Sequence, residues 1–353
     1  MIEKIIEKNV WDVLGETELP IILYGMGNGA DMVIAELEKR GLEFADIFAG
    51  DEFVRGQLFH GKRVKKYAEI CAEYADFFIV MCFAVHDDET IEKILKMSRE
   101  HPFVAPNVPI VNDGIFTREF IAEHDAEFDA AYALLSDDES RENYVNILNF
   151  KVSGKIDYLF RAEKDKSFIY ENIFHLGFDE VFVDLGAYDG DTVREFCDFT
   201  NGKYKKIFAL EADSKNYRKL IKNTEEMDEV YAYNLAAWDK KEILLFEKKK
   251  GRNSKISTVG TVEVQAADVD SLIDEKITVL KMDVEGSEEK AIAGARKTIE
   301  KYRPKMYVCA YHRNSDMYAI PLLINSICKD YKFYFYHQRY IPAWESNFYA
   351  VAE

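Results

Sequence analysis

The chain has 353 residues, with 46 Lys and Arg against 64 Asp and Glu, giving a formal charge of −18. At 48% hydrophobic and 14% aromatic content it can fill the cores of two ordinary domains, which excludes a disordered polypeptide. The excess of acid argues against a nucleic-acid backbone as partner and leaves neutral or cationic small molecules and sugars.

The start of the chain, Met1-Ile-Glu-Lys-Ile-Ile-Glu-Lys8, mixes charged and apolar residues and carries no signal-peptide core. No apolar run approaches the roughly 20 residues of a membrane span. The longest, Phe77 to Val85, reads as a buried strand. Cys71, Cys82, Cys197, Cys309 and Cys328 are scattered and show no metal-ligand spacing, so a reduced cytoplasmic protein without a resident metal is expected.

Residues 1–125 read as a first domain. Pro20 to Tyr24 is a short strand, followed by Gly25-Met-Gly27-Asn28-Gly29-Ala30 and a helix with Met32, Val33 and Leu37 on one face. Phe44 to Ala49 is a second strand ending near Asp51, Phe77 to Phe83 a strong buried one, and Val108 to Val111 a weaker one. The alternation predicts a Rossmann-like parallel sheet. Gly25-x-Gly27-x-x-Ala30 follows a strand and opens a helix, and Asp51 comes about 20 residues later. With no acid before Asp31, a phosphate could rest on the helix N-terminus. Gly25, Gly27, Asn28 and Asp51 are therefore a candidate second site for a nucleotide or nucleotide-sugar, set against a plain scaffold or homodimer surface.

Residues 126–178 read as a helical connector. Ser136-Asp-Asp-Glu139 has the form of a capping box, leading a helix with Tyr144, Ile147 and Leu148 inward. Residues 179–353 form the second domain. Predicted strands are Val181–Leu185, Lys206–Leu210, Val230–Leu235, Thr261–Gln265, Ile277–Met282, Met306–Tyr311, Lys332–Tyr336 and Phe348–Val351, with a helix from Ser287 to Tyr302. The late strands lie close together, which predicts an antiparallel edge on a parallel, doubly wound sheet.

The segment Val181-Phe-Val-Asp-Leu-Gly-Ala-Tyr-Asp-Gly-Asp-Thr192 joins a buried strand to a glycine turn, and Thr192-Val-Arg-Glu195 reads as the capping box of the next helix. The acids Asp184, Asp189 and Asp191 would repel a pyrophosphate but suit the amino group and sulfonium of S-adenosylmethionine. Glu211, at the end of the next strand, stands where an acid binds ribose hydroxyls. The helix after it, with Tyr217, Leu220 and Ile221 inward, would leave Glu211 at an exposed tip. In Asn234-Leu-Ala-Ala-Trp-Asp239 the small residues let an adenine lie against backbone, and Trp238 is either a pocket wall or core.

Asp283 and Glu285 are delivered to the functional rim of the sheet, where they could bind the ligand's amino group, orient an acceptor or hold a cation. Two carboxylates without His partners at fixed spacing argue against the last role, and Glu288 reads as an ordinary acid at a helix start. His312 follows a strand directly and could accept the proton of an attacking hydroxyl; His337 is a weaker candidate. Lys248-Lys-Lys-Gly-Arg-Asn-Ser254 reads as a solvated hairpin, with a substrate lid as the other reading.

Taken together, residues 179–353 resemble the FkbM-type class I methyltransferases. The matching features are Phe182 to Thr192, the Glu211 strand end, Lys281-Met-Asp283-Val-Glu285-Gly286, and Arg303-Pro304 before the strand leading to His312. Residues 128–178 resemble the segment preceding this domain in family members, and the N-terminal part resembles Rossmann-like modules on enzymes of sugar-nucleotide and polysaccharide metabolism. The resemblance implies a seven-stranded S-adenosylmethionine-dependent fold and O-methylation, often of sugars or glycosylated products. By match, the methionine part lies along Asp184, Gly186 and Tyr188, the ribose at Glu211 and the adenine near Ala236. Asp189, Gly190, Thr192, Ala212 and Asp283 complete the expected cofactor set, and His312, Asp283 and Glu285 the catalytic one. Ala212 departs from the family, whose members often carry Pro there.

The function expected is methyl transfer from S-adenosylmethionine to a hydroxyl, with His312 taking the proton. Two other readings compete. One is a nicotinamide-dependent oxidoreductase working through the N-terminal domain, which lacks an obvious Tyr-x-x-x-Lys pair. The other is a pair of ligand-sensing or assembly modules without turnover.

Overall fold

Short apolar runs ended by glycine or acid become two sheets in the computed structural model, which describes residues 1–111, 113–247, 255–256 and 262–352. In the N-terminal half, β1 (Ile21–Tyr24), β2 (Asp46–Phe48), β3 (Phe78–Met81) and β4 (Phe103–Val104) pair in the order β2-β1-β3-β4, all parallel. Helix α1 (Asn28–Lys39) buries Ala30, Val33, Ile34 and Leu37, one stripe at helical spacing, against this sheet. The expected strand at Val108–Val111 does not form. Pro106 and Pro109 remove backbone donors there, and the fourth strand is Phe103–Val104, paired with Ile79 and Val80.

Helix α2 (Asp138–Ser153) carries the chain between the halves. Its cap is Asp137, which accepts from the Ser140 amide at 2.7 Å. The expected capping box on Ser136 fails because the Ser136 N–H is spent on the Phe333 carbonyl. Nearly every side of α2 is covered: Tyr144, Ile147, Leu148 and Phe150 are buried, the Tyr144 hydroxyl donates to the Met317 carbonyl at 2.7 Å, and the Gly154 carbonyl accepts from Ala105 at 2.7 Å. One apolar core therefore runs from Ile22 and Ile79 through α2 to Leu280 and Phe348.

The second sheet holds β5 (Val181–Leu185), β6 (Lys206–Leu210), β7 (Val230–Tyr233), β8 (Val279–Met282), β9 (Lys305–Cys309), β10 (Tyr331–His337) and β11 (Ser346–Ala352) in the order β10-β11-β9-β8-β5-β6-β7. β5 to β9 are parallel, while β11 runs antiparallel to both neighbours, the expected edge. Helix α3 (Asp191–Phe199) begins one residue before Thr192. Its cap is Gly190 at φ +85°, a conformation that favours glycine, so the Thr192–Glu195 box does not form. Glu195 instead accepts from Lys166 at 3.0 Å and from the Tyr170 hydroxyl at 3.1 Å.

Helix α4 (Ser214–Thr224) buries Leu220 but leaves Ile221 43% exposed, against expectation. The predicted helix over Ser287–Tyr302 is two, α5 (Glu288–Gly294) and α6 (Arg296–Tyr302), with Ala295 between them. Ala236–Ala237, Glu242–Glu247, Lys255–Ile256 and Val262–Ala267 make a separate small sheet beside the main one. The predicted basic loop Lys248–Ser254 lies outside the described residues. Among the described residues no helix is long and apolar enough to cross a membrane.

Candidate active site

The site lies at the carboxyl ends of β5, β6, β8 and β9, where the strands release their backbones into turns. Gly186 sits at φ +86°, and a Cβ there would stand 1.8 Å from the Asp283 carbonyl oxygen, so only glycine lets the two turns meet. The amides of Gly186 and Ala187 both donate to the Leu210 carbonyl at 2.9 Å, which draws the glycine turn onto the end of β6. Glu211 then reaches back. Its Oε2 accepts from the Tyr188 amide at 2.9 Å and its Oε1 from Asp213 at 2.7 Å. Glu211 is only 8% exposed, not at an open tip, and burial pushes its carboxyl up to about 7 against the pull of those two N–H groups.

Asp184 proves to be structural. It is fully buried inside β5, opposite Lys281 in the register of β8, with the ammonium 3.0 Å from its Oδ1. Burial raises the Asp184 carboxyl, and the Lys281 charge opposes that rise. Lys281 also donates to the Gly186 carbonyl at 3.2 Å, so one buried ammonium fixes strand pairing and glycine turn together. Asp189 turns the other way, with Arg194 3.4 Å from its Oδ1.

A cavity of about 240 Å³ runs along this rim. Of the expected cofactor residues, Gly186, Tyr188, Thr192, Glu211, Ala212, Ala236 and Asp283 line it, joined by Asp191; Asp184, Asp189 and Gly190 lie outside its wall. The expected catalytic residues Asp283, Glu285 and His312 come together at the other end. The sequence reading missed the rest of that end: Tyr340, Trp344 and Glu345 from the β10–β11 loop, Lys166 from the connector, and Ile110 from the N-terminal half. Trp238 is not a wall. Its indole N–H donates to Glu242 at 2.7 Å, and it packs with the small sheet. His337 is also elsewhere, buried between the Ser346 hydroxyl at 3.0 Å and the Tyr340 carbonyl at 2.9 Å, and burial drives its pKa down to about 4.

Carboxylates flank both ring nitrogens of His312, although the buried Nδ1 has no well-aligned hydrogen bond among the described residues. Its Nδ1 lies 2.9 Å from Glu288 Oε1, and its Nε2 lies 3.4 Å from Asp283 Oδ1 and 3.7 Å from Glu285 Oε2. Burial disfavours the charged ring, but Glu288, then Glu285 and Asp283, prevail and push its pKa up to about 10. That upward direction runs against the role of proton acceptor expected of this ring. Glu288 Oε1 also accepts from the Val284 amide at 3.0 Å, and the Tyr311 hydroxyl donates to Asp283 Oδ1 at 3.2 Å. The N-terminal half grips this loop. The Asn314 amide donates to Asp113 Oδ2 at 2.6 Å, and the Asn314 side chain donates to the carbonyls of Asp113 and Gly114.

Residues 184–333 match the family model of the methyltransferase FkbM domain. The chain carries an FkbM-type methyltransferase domain. Its whole fold is similar to the crystal structure of methyltransferase FkbM from Methylobacillus flagellatus KT, with a TM-score of 0.73 at 21% identity over 98% of this chain and 94% of that one. A weaker likeness, TM-score 0.35 at 10% identity, joins 50% of this chain to 89% of an rRNA methylase from Streptococcus thermophilus. No curated protein matches the chain.

Of the glycines expected to cradle a second nucleotide, outside the FkbM domain, Gly25 has a packing reason of its own, while a Cβ on Gly27 would meet nothing within 4 Å. A Cβ on Gly25 would stand 2.6 Å from the Phe83 ring, which makes an edge contact with Tyr24, and one on Gly29 would stand 2.2 Å from the Cys82 carbonyl. Gly27 precedes α1, which starts at Asn28, and Asp51 opens an exposed turn with Lys66 3.4 Å away.

Proposed function

We propose that the FkbM domain uses S-adenosylmethionine to methylate a hydroxyl of a sugar or glycosylated product. The observation that carries this reading is a single cavity with two chemically different ends. At one end Glu211 has lone pairs beyond those taken by the two N–H groups, suited to ribose hydroxyls. The glycine at 186 gives close backbone approach there, and Ala212 and Ala236 leave room for a flat ring. Asp191 is the lining acid suited to a ligand's amino group. S-adenosylmethionine supplies a methyl group already activated by its sulfonium.

At the other end Tyr311, Tyr340 and Trp344 offer aromatic faces beside the carboxylates of Asp283, Glu285 and Glu345. Flat apolar faces with acids between them suit a sugar ring, whose C–H faces are apolar and whose rim is hydroxyls. The hydroxyl proton goes to Asp283 or Glu285, and His312, 3.4 and 3.7 Å from them, keeps those carboxylates in place. Most of the acceleration comes from alignment of acceptor and donor. The test is release of S-adenosylhomocysteine during incubation with panels of sugars, glycosides, amines and thiols. Turnover on hydroxyl acceptors, lost in Asp283→Asn, supports the reading; turnover confined to amines or thiols overturns it.

A further inference from the structure

S-adenosylmethionine carries an ammonium and a carboxylate on the same carbon, so the protein groups that take them must stand side by side. The cavity is rich in acids for the first and poor in cations for the second. Among the described residues that line it, the only lysines are Lys166 and Lys281, and no arginine joins them. Lys281 is already occupied, 3.0 Å from Asp184 and donating to the Gly186 carbonyl at 3.2 Å, with its side chain 5% exposed. Lys166 is more open, at 28% exposed, and its one ion pair among the described residues is with Glu195 Oε2 at 3.0 Å. An ammonium has donors to spare beyond that one. Glu195 in turn accepts from the Tyr170 hydroxyl on its other oxygen at 3.1 Å, so the carboxylate that holds Lys166 is itself held. Glu195 lies one turn after Asp191 on α3, and residues four apart on a helix share a face. Lys166 therefore enters from the connector at the point where the cofactor end of the cavity meets the acceptor end. Burial works against its charge, but Glu345 and then Glu195 outweigh burial and raise its pKa.

We propose that Lys166 binds the carboxylate of S-adenosylmethionine while Asp191 takes the amino group beside it, an assignment that rests on the cofactor reading above. A charged donor on a carboxylate makes one of the stronger hydrogen bonds available to a protein. An acidic acceptor is the other source of a carboxylate, but the acceptor end presents Asp283, Glu285 and Glu345, and like charges there would repel it. Residue 166 precedes the stretch 184–333 that matches the FkbM model, so the connector completes a cofactor site that the matched stretch leaves without a cation for this group. Nothing in the local sequence marks the residue. It opens a short turn of helix, Lys166–Phe168, and only the packing of that turn against α3 through Glu195 brings it to the cavity.

The test is calorimetric titration of the full chain with S-adenosylmethionine and with its decarboxylated form, which keeps the amino group, the sulfonium and the nucleoside. Wild type should bind the decarboxylated ligand about 10–100-fold more weakly, the worth of one charge-assisted hydrogen bond. Lys166→Met should lose a similar factor for S-adenosylmethionine and stay within about twofold of wild type for the decarboxylated ligand. Lys166→Arg, which keeps the charge, should recover most of the loss. Equal weakening of both ligands in Lys166→Met marks a merely structural role and overturns the assignment, as does no weakening of either. Wild type that binds the two ligands alike overturns it without recourse to any variant. In each of those cases S-adenosylmethionine still binds and the cofactor reading stands; no binding of either ligand by wild type overturns that reading itself.

Discussion

Glu211→Gln is the perturbation with the most readable consequence. The carboxylate accepts one backbone N–H on each oxygen, so an amide of the same shape keeps one of those bonds and presents its NH2 to the other donor. If both ribose hydroxyls donate to Glu211, each charge-assisted bond is worth about 1.5–3 kcal/mol. Loss of both should weaken S-adenosylmethionine by about 100-fold or more, at about 1.4 kcal/mol per tenfold. The carboxyl also titrates near 7, because burial outweighs its backbone hydrogen bonds. The sign follows directly. A ligand that donates to the ionised form binds fully above pH about 7 and loses about tenfold in affinity per pH unit below it. Stability of the free protein runs the other way: with the folded pKa raised above 4.5, this group's contribution is whole below 4.5 and lost as pH rises through 7. Calorimetric titrations at pH 6, 7 and 8 on wild type and Glu211→Gln measure the effect. Flat wild-type affinity across that range, or a variant that binds like wild type, would refute the reasoning.

Other outcomes follow from the same geometry. Lys281→Met leaves Asp184 buried without its partner and should cost about 3–5 kcal/mol in urea denaturation, with Asp184→Leu in the same chain restoring most of it. Gly186→Ala forces a Cβ against the Asp283 carbonyl 1.8 Å away, so it should lower the melting temperature and abolish cofactor binding, both read by thermal melts with and without ligand. Ile110→Trp narrows the acceptor end from the N-terminal half, so turnover should fall while the S-adenosylmethionine dissociation constant stays within about twofold, a change worth under 1 kcal/mol.

Both sheets were readable from their apolar runs because buried parallel strands need nothing more than such runs between turns. Capping residues were harder, since Ser136 and Thr192 have the right side chains but tertiary hydrogen bonds and Gly190 decide where helices begin. Asp184 was read as a ligand group, and the buried partner beside it, Lys281, lies on another strand. The signal was Lys281, a lysine in the middle of a buried strand, which requires an acid opposite it. Tyr340, Trp344 and Ile110 carry no local signal at all. They reach the cavity through the β10–β11 loop and through a segment tied to Asn314, and both placements are tertiary. The acidic surroundings of His312 were equally hidden, because they depend on Glu288 meeting the ring from α5.

The most direct test of the account is calorimetric titration of the full chain with S-adenosylmethionine, beside NAD(H) and a UDP-sugar, in wild type and Gly186→Val. The account predicts one S-adenosylmethionine site per wild-type chain and none in the variant. Clear binding of a dinucleotide or nucleotide-sugar with no binding of S-adenosylmethionine would contradict it and move the function to the N-terminal half.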